Sequence, residues 1–198
     1  MRSGLCLLVA LAAAILSGCT VPSVSRLYAT DKSDVTSLPG LIGIWTEDEG
    51  ERTYTVTQGQ NKEYQVAVAW KDPAKRLSGL EVNLVRVGDS MFADISPASA
   101  DRQELSERYG ASVLAVHAIA RIALEGDELK VWQTDNEVLA QRLKAKPDLT
   151  PHAAFEEETV ILTGSPAQVK SFITAVAHDD ELFKNLVTLK RPAAPPAK

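Results

Sequence analysis

The sequence has almost no cysteine, and what it has lies at one end. Cys6 and Cys19 are the only two in 198 residues. No disulfide can therefore staple the rest of the chain, and no thiolate pair can hold a metal there. Histidine is nearly as scarce: His117, His152 and His178 are far apart, with no partner at i+4 and no His-Glu-x-x-His, which removes the usual zinc spacing. A phosphate-binding glycine loop is missing, as is any Ser-x-x-Lys. Gly110-Ala111-Ser112-Val113-Leu114 supplies only the first half of Gly-x-Ser-x-Gly. The expectation is a protein without catalytic machinery, metal or cofactor.

A basic excess is lacking too. Lys and Arg number 21 against 26 Asp and Glu, a net charge of −5, which argues against nucleic acid or anionic headgroups as partners. The acidic clusters read as solvated surface. Residues 47–51 fit a hairpin turn, 156–158 the start of a strand, and neither has the alternating ligand spacing of a calcium loop. His178-Asp179-Asp180-Glu181 reads as the cap of a helix carrying Leu182 and Phe183.

Long apolar runs are absent save one. Residues 5–16 are unbroken and follow Arg2. As a helix they would span roughly 18 Å, short of the roughly 30 Å hydrocarbon core of a bilayer. A positive start, a short apolar segment and then small residues form the pattern of a cleaved export signal. Leu16-Ser17-Gly18-Cys19 resembles the lipobox of bacterial lipoproteins. The resemblance implies cleavage between Gly18 and Cys19, lipid on the Cys19 sulfur and acylation of the new amino terminus. A bulky thioether lipid leaves room only for small side chains at Ser17 and Gly18. The alternative is an ordinary signal with a chance cysteine. Two or three acyl chains make a stable membrane anchor where one is marginal. Thr20, in the place where the family's inner-membrane members tend to carry Asp, points to the periplasmic face of an outer membrane.

Beyond the anchor the chain divides into three parts. Residues 19–38, rich in Ser, Thr and Asp without a sustained period, read as the lipidated cysteine and a flexible tether. Residues 39–191 form one domain, and 192–198, Pro- and Ala-rich, a loose tail. The domain reads as mainly β. Strands are expected over 41–46, 52–57, 62–71, 77–87, 91–96, 112–125, 129–134 and 186–191, with turns at Gly88-Asp89 and Gly126-Asp127. Helices are expected over 136–146, from Ser165-Pro166 onward, and over 101–109. Short connections favour an antiparallel up-and-down meander, and about eight strands can close into a barrel.

Gly43-Ile44-Trp45 on the first of these strands resembles the Gly-x-Trp motif of lipocalins. The resemblance implies an eight-stranded up-and-down barrel whose tryptophan closes one end under a basic residue of the last strand, here Arg191. Some bacterial lipocalins are lipid-anchored envelope proteins. The helix at 136–146 falls earlier in the chain than the family's helix does. Tyr64, Val66, Val68 and Trp70 share one strand face, opposite Gln65, Ala67 and Ala69. They could line a pocket for a small apolar ligand or lipid, or simply form core. His117 and Arg121 share another face and could hold a carboxylate if it points inward; hydrogen bonding within a sheet is the plainer role for His117. The alternative to a carrier is an envelope protein-interaction module with a solid interior.

Overall fold

The computed structural model describes residues 20–47, 50–72, 78–99, 101–103, 116–154 and 159–192. The export signal, Gly18, Cys19 and nearly all of the tail lie outside this set, as does most of the helix expected over 101–109.

Two short strands come first, β1 (Val21–Ser23) and β2 (Val35–Thr36). A meander follows: β3 (Gly43–Glu47), β4 (Arg52–Gln58), β5 (Tyr64–Trp70), β6 (Ser78–Val87), β7 (Ser90–Pro97), β8 (His117–Glu125) and β9 (Glu128–Gln133). Each pairs antiparallel with the next. The chain then forms helix α1 (Asn136–Ala145), the strands β10 (His152–Ala154) and β11 (Val160–Leu162), helix α2 (Pro166–Val176) and β12 (Asn185–Lys190). β12 pairs with β9 along its length and with β3 through Leu189 opposite Glu47, which closes the ring. The result is mainly β: a closed, lipocalin-like barrel of eight antiparallel strands with accessory helices. Both helices are inserted between the seventh and eighth barrel strands.

Strand alternation sorts the side chains into two cores. Trp45, Val56, Tyr64, Val66, Val68, Val82, Leu84, Met91, Ile122, Leu129 and Leu189 point inward and pack as one cluster. Alternate positions on the far wall, among them Val85, Val87, Phe92 and Ile119, point outward into a second cluster. The helices complete that second core. α1 starts where Asp135 accepts a hydrogen bond from the Val138 amide at 2.9 Å, and it buries Leu139 and Leu143. α2 begins with Ser165 and Gln168 capping each other's backbone around Pro166, and it buries Val169, Phe172 and Ile173.

Two expectations need correction. Residues 20–38 are largely docked rather than a tether: Val21, Ser23 and Leu27 are fully buried, with Tyr28 and Val35 nearly so. β1 pairs with the start of β8 and β2 with the end of β6. Their anchoring side chains fall at irregular spacing because each reaches a different point on the barrel wall, so no period marks them. Residues 179–184 form turns rather than a helix. Asp179 does cap, accepting from the Leu182 amide at 3.0 Å, but its carboxylate also pairs with Arg142 of α1. A contact across the fold, and not a helix, fixes this acidic segment.

Candidate functional site: the loop end of the barrel

The two ends of the barrel differ. At one end Trp45 is fully buried and donates from Nε1 to the Leu41 carbonyl at 2.8 Å. Arg191 lies over its ring, 4.3 Å from guanidinium carbon to centroid, and donates to the carbonyls of Gly40 and Ile42. The two residues expected at the closed end are thus in contact. Gly43 makes room for them. Its φ is +138°, and a side chain there would collide with the Arg191 guanidinium. Tyr64 finishes the seal, its hydroxyl accepting from the Leu38 amide at 3.0 Å.

The other end is the one where the β3–β4, β5–β6 and β7–β8 connections lie, much of which falls outside the described residues. Inward-facing Tyr54, Leu80, Ile95, Val131 and Val187 pack against the inner core yet remain partly exposed. Small residues stand among them. Ala120 lies opposite Ala93 and Ala118 opposite Ile95. A polar bracket holds one side of this rim. Tyr54 donates to Glu47 at 2.8 Å, Arg52 pairs with the same carboxylate oxygen at 2.7 Å, and Arg52 lies 5.1 Å from the Trp70 ring centroid. Burial and the bond to Glu47 push the Tyr54 hydroxyl pKa well above the ordinary tyrosine value. Trp70 also borders a surface depression of about 230 Å³ with Glu51, Lys71 and Asp72. The rim therefore offers a neutral phenol, a satisfied ion pair and an aromatic face above apolar walls.

Of the four residues expected on one face of β5, Tyr64, Val66 and Val68 are buried in the interior core. Trp70 alone reaches the rim. His117 and Arg121 do not join them: their face of β8 is not internal, so the condition for a carboxylate site there is not met, and His117 has the plainer role of a hydrogen-bonded sheet residue. They occupy outward positions on β8, sharing parity with Ile119 of the outer core, while Ile122, next to Arg121, points in. Both are already engaged. His117 Nδ1 lies 2.6 Å from an Asp94 oxygen. Arg121 donates to Asp180 at 2.9 Å and to the Ala177 carbonyl at 3.2 Å, and its guanidinium lies 5.1 Å from the Trp132 ring and 5.5 Å from Phe183. His152 and His178 are elsewhere, the first against the Thr150 carbonyl and the second near Asp89.

A buried polar group escaped the sequence reading. Asp94, 1% exposed on the outer wall of β7, accepts from His117 and from the Leu27 amide at 2.5 Å. Asn83 stands opposite it across the β6–β7 pair and donates to the Tyr28 hydroxyl at 3.3 Å. Burial first, and the Asp94 charge second, raise the Tyr28 pKa. The signal in the sequence is faint, because alternation gives Asn83 and Asp94 the same outward parity that a solvent-facing polar residue has.

Among the described residues no helix is long and apolar enough to cross a membrane. Comparison with protein-family models, with curated proteins and with solved structures returns no match.

Proposed function

We propose that the chain is a lipid-anchored envelope protein, held through Cys19 at the periplasmic face of an outer membrane, that binds a small apolar ligand at the loop end of its barrel. The observation that supports this is the asymmetry of the interior. One end is closed by Trp45 under Arg191, with Leu38 and Leu124 partly exposed beside them, whereas the other has Tyr54, Leu80 and Ile95 partly exposed and no such aromatic–cation plug among the described residues. Partly exposed apolar walls beneath a polar rim fit the tip of an acyl chain or a molecule of similar girth. The role is binding, without catalysis, cofactor or nucleic acid.

The depth of the interior favours a second reading. Below the rim Val56, Val66, Leu84 and Met91 fill the barrel with the protein's own side chains. A solid barrel would act through its outer surface, as an envelope interaction module.

One titration separates the two. A fatty acid carrying bromine on its chain is added to the protein lacking residues 1–18, and tryptophan emission is followed. Saturable quenching that Trp70→Phe largely removes is expected for ligand at the rim. An absence of saturable quenching, with no apolar molecule recovered by organic extraction of the purified protein, would reject the carrier in favour of a protein partner.

A further inference from the structure

The docked start of the chain gives the proposed anchor a geometry. Thr20 is 8% exposed and the next residue, Val21, is fully buried. β1 runs antiparallel to β8, with Ser23 opposite His117 and Val21 opposite Ile119. One more residue in this register sets Thr20 against Ala120. β9 approaches the same place from the other direction. Trp132 stands opposite Arg121, so the following residue, Gln133, also converges on Ala120. Two strands thus meet on one side of β8, and the sheet forks there. Cys19 is a single Cα step, about 3.8 Å, from Thr20 at that fork.

Resting on the lipid anchor proposed above, we infer that the domain has no tether, so that the bilayer surface seats against the fork between β1 and β9. The opposite wall is then turned away from the membrane. Around the ring β4 stands four strands from β8 in either direction. The outward residues of this far wall carry no charge along two cross-strand rows. One runs Ile44, Thr55 and Ala67, and the other Thr46, Thr53 and Ala69. This is the side of the barrel that β1, β2 and the outer core leave bare, and it would face the aqueous compartment. The length of chain between lipid and fold decides the matter. A 19-residue flexible tether would let the domain wander roughly 25 Å from its anchor, whereas one peptide step holds it in a fixed pose.

The test uses the lipidated protein in phosphatidylcholine vesicles that contain nitroxide-headgroup lipid. A bimane fluorophore is placed on Glu137→Cys, exposed in the first turn of α1 just beyond the fork, or on Thr55→Cys, exposed on the far wall. Gln133→Cys repeats the near measurement on β9 itself. Emission near the fork should be quenched several-fold more than at Thr55. A twenty-residue Gly/Ser insert between Cys19 and Thr20 should abolish the difference. The mass of the amino-terminal peptide reports acylation in the same samples. Acylated protein with equal quenching at the two sites overturns the fixed pose alone, whereas an unmodified Cys19 overturns the anchor and the pose together.

Discussion

Arg191 stands over Trp45 because Gly43 has no side chain. The guanidinium lies 4.3 Å from the indole centroid, and it occupies the space a Cβ on Gly43 would need. Arg191→Ala should lower stability by about 1–2 kcal/mol, combining a partly shielded cation–π contact with hydrogen bonds to Gly40 and Ile42. Arg191→Lys should recover only part of this, since an ammonium cannot serve both carbonyls from a flat fork. Gly43→Ala should cost about 2–3 kcal/mol from its positive φ and the collision. In Gly43→Ala/Arg191→Ala the collision is gone and the two losses should sum to less than the singles. Urea unfolding of the four proteins measures all of these.

Asp94 clips the amino-terminal segment to the barrel. Its two oxygens are taken by His117 and by the Leu27 amide in a site that is 1% exposed. Asp94→Ala strands a buried amide and the imidazole, and should cost about 2–3 kcal/mol. The damage should be local first. Amide exchange over residues 24–36 should rise by at least tenfold while the β4–β5 hairpin keeps its protection. Equal loss of protection in both would show that the clip supports the barrel as a whole.

The barrel was legible because its strands obey a simple alternation. All eight were visible, since residues such as Tyr64, Val66 and Val68 each face one continuous interior and must repeat every second position. The Gly43-Ile44-Trp45 fragment gave Arg191 as the partner for the ring. The second core was not legible in the same way. Val21, Leu27, Tyr28 and Val35 bind a curved outer wall one at a time, so their spacing looks like that of a linker. His117 and Arg121 pointed to a shared strand face correctly, but parity alone cannot say which face is inside. That choice is made by the inner core that Ile122 joins, in which Trp45, Val56 and Leu189 come from distant parts of the sequence.

Acid should loosen the outer layer before the barrel. Asp34 gains a hydrogen bond and charge from Lys170 of α2 and another bond from the Ala29 amide, which hold its pKa below the ordinary value against the opposing effect of burial. Asp135 is held low by Lys184 and by the Val138 amide at the start of α1. A carboxylate with a depressed folded-state pKa stabilises the fold above its unfolded pKa, and that contribution is lost as pH falls through the folded value. Stability should therefore be level at neutral pH and decline below about pH 4. Asp34→Asn should flatten this decline, as read by thermal unfolding at a series of pH values. An unchanged acid slope in that variant would remove Asp34 from the cause.

Arg121 should behave as the rivet between the barrel wall and the turn that follows α2. The side chain is 14% exposed, lies between the Trp132 and Phe183 rings, and donates to the Ala177 carbonyl at the end of α2. Phe183 in turn meets Phe92 edge to face at 5.6 Å, so a shift of Arg121 reaches the outer core. Its ion pair with Asp180 contributes little, because that carboxylate is 87% exposed. Asp180→Asn should accordingly change stability by less than about 0.5 kcal/mol, while Arg121→Leu should cost about 1–3 kcal/mol through the lost carbonyl bond and ring contacts. Arg121→Lys should fall closer to Leu than to the parent, since the planar guanidinium is what fits between two rings. The reverse order, with Asp180→Asn the more damaging, would make the surface ion pair rather than the ring sandwich the element that holds this turn.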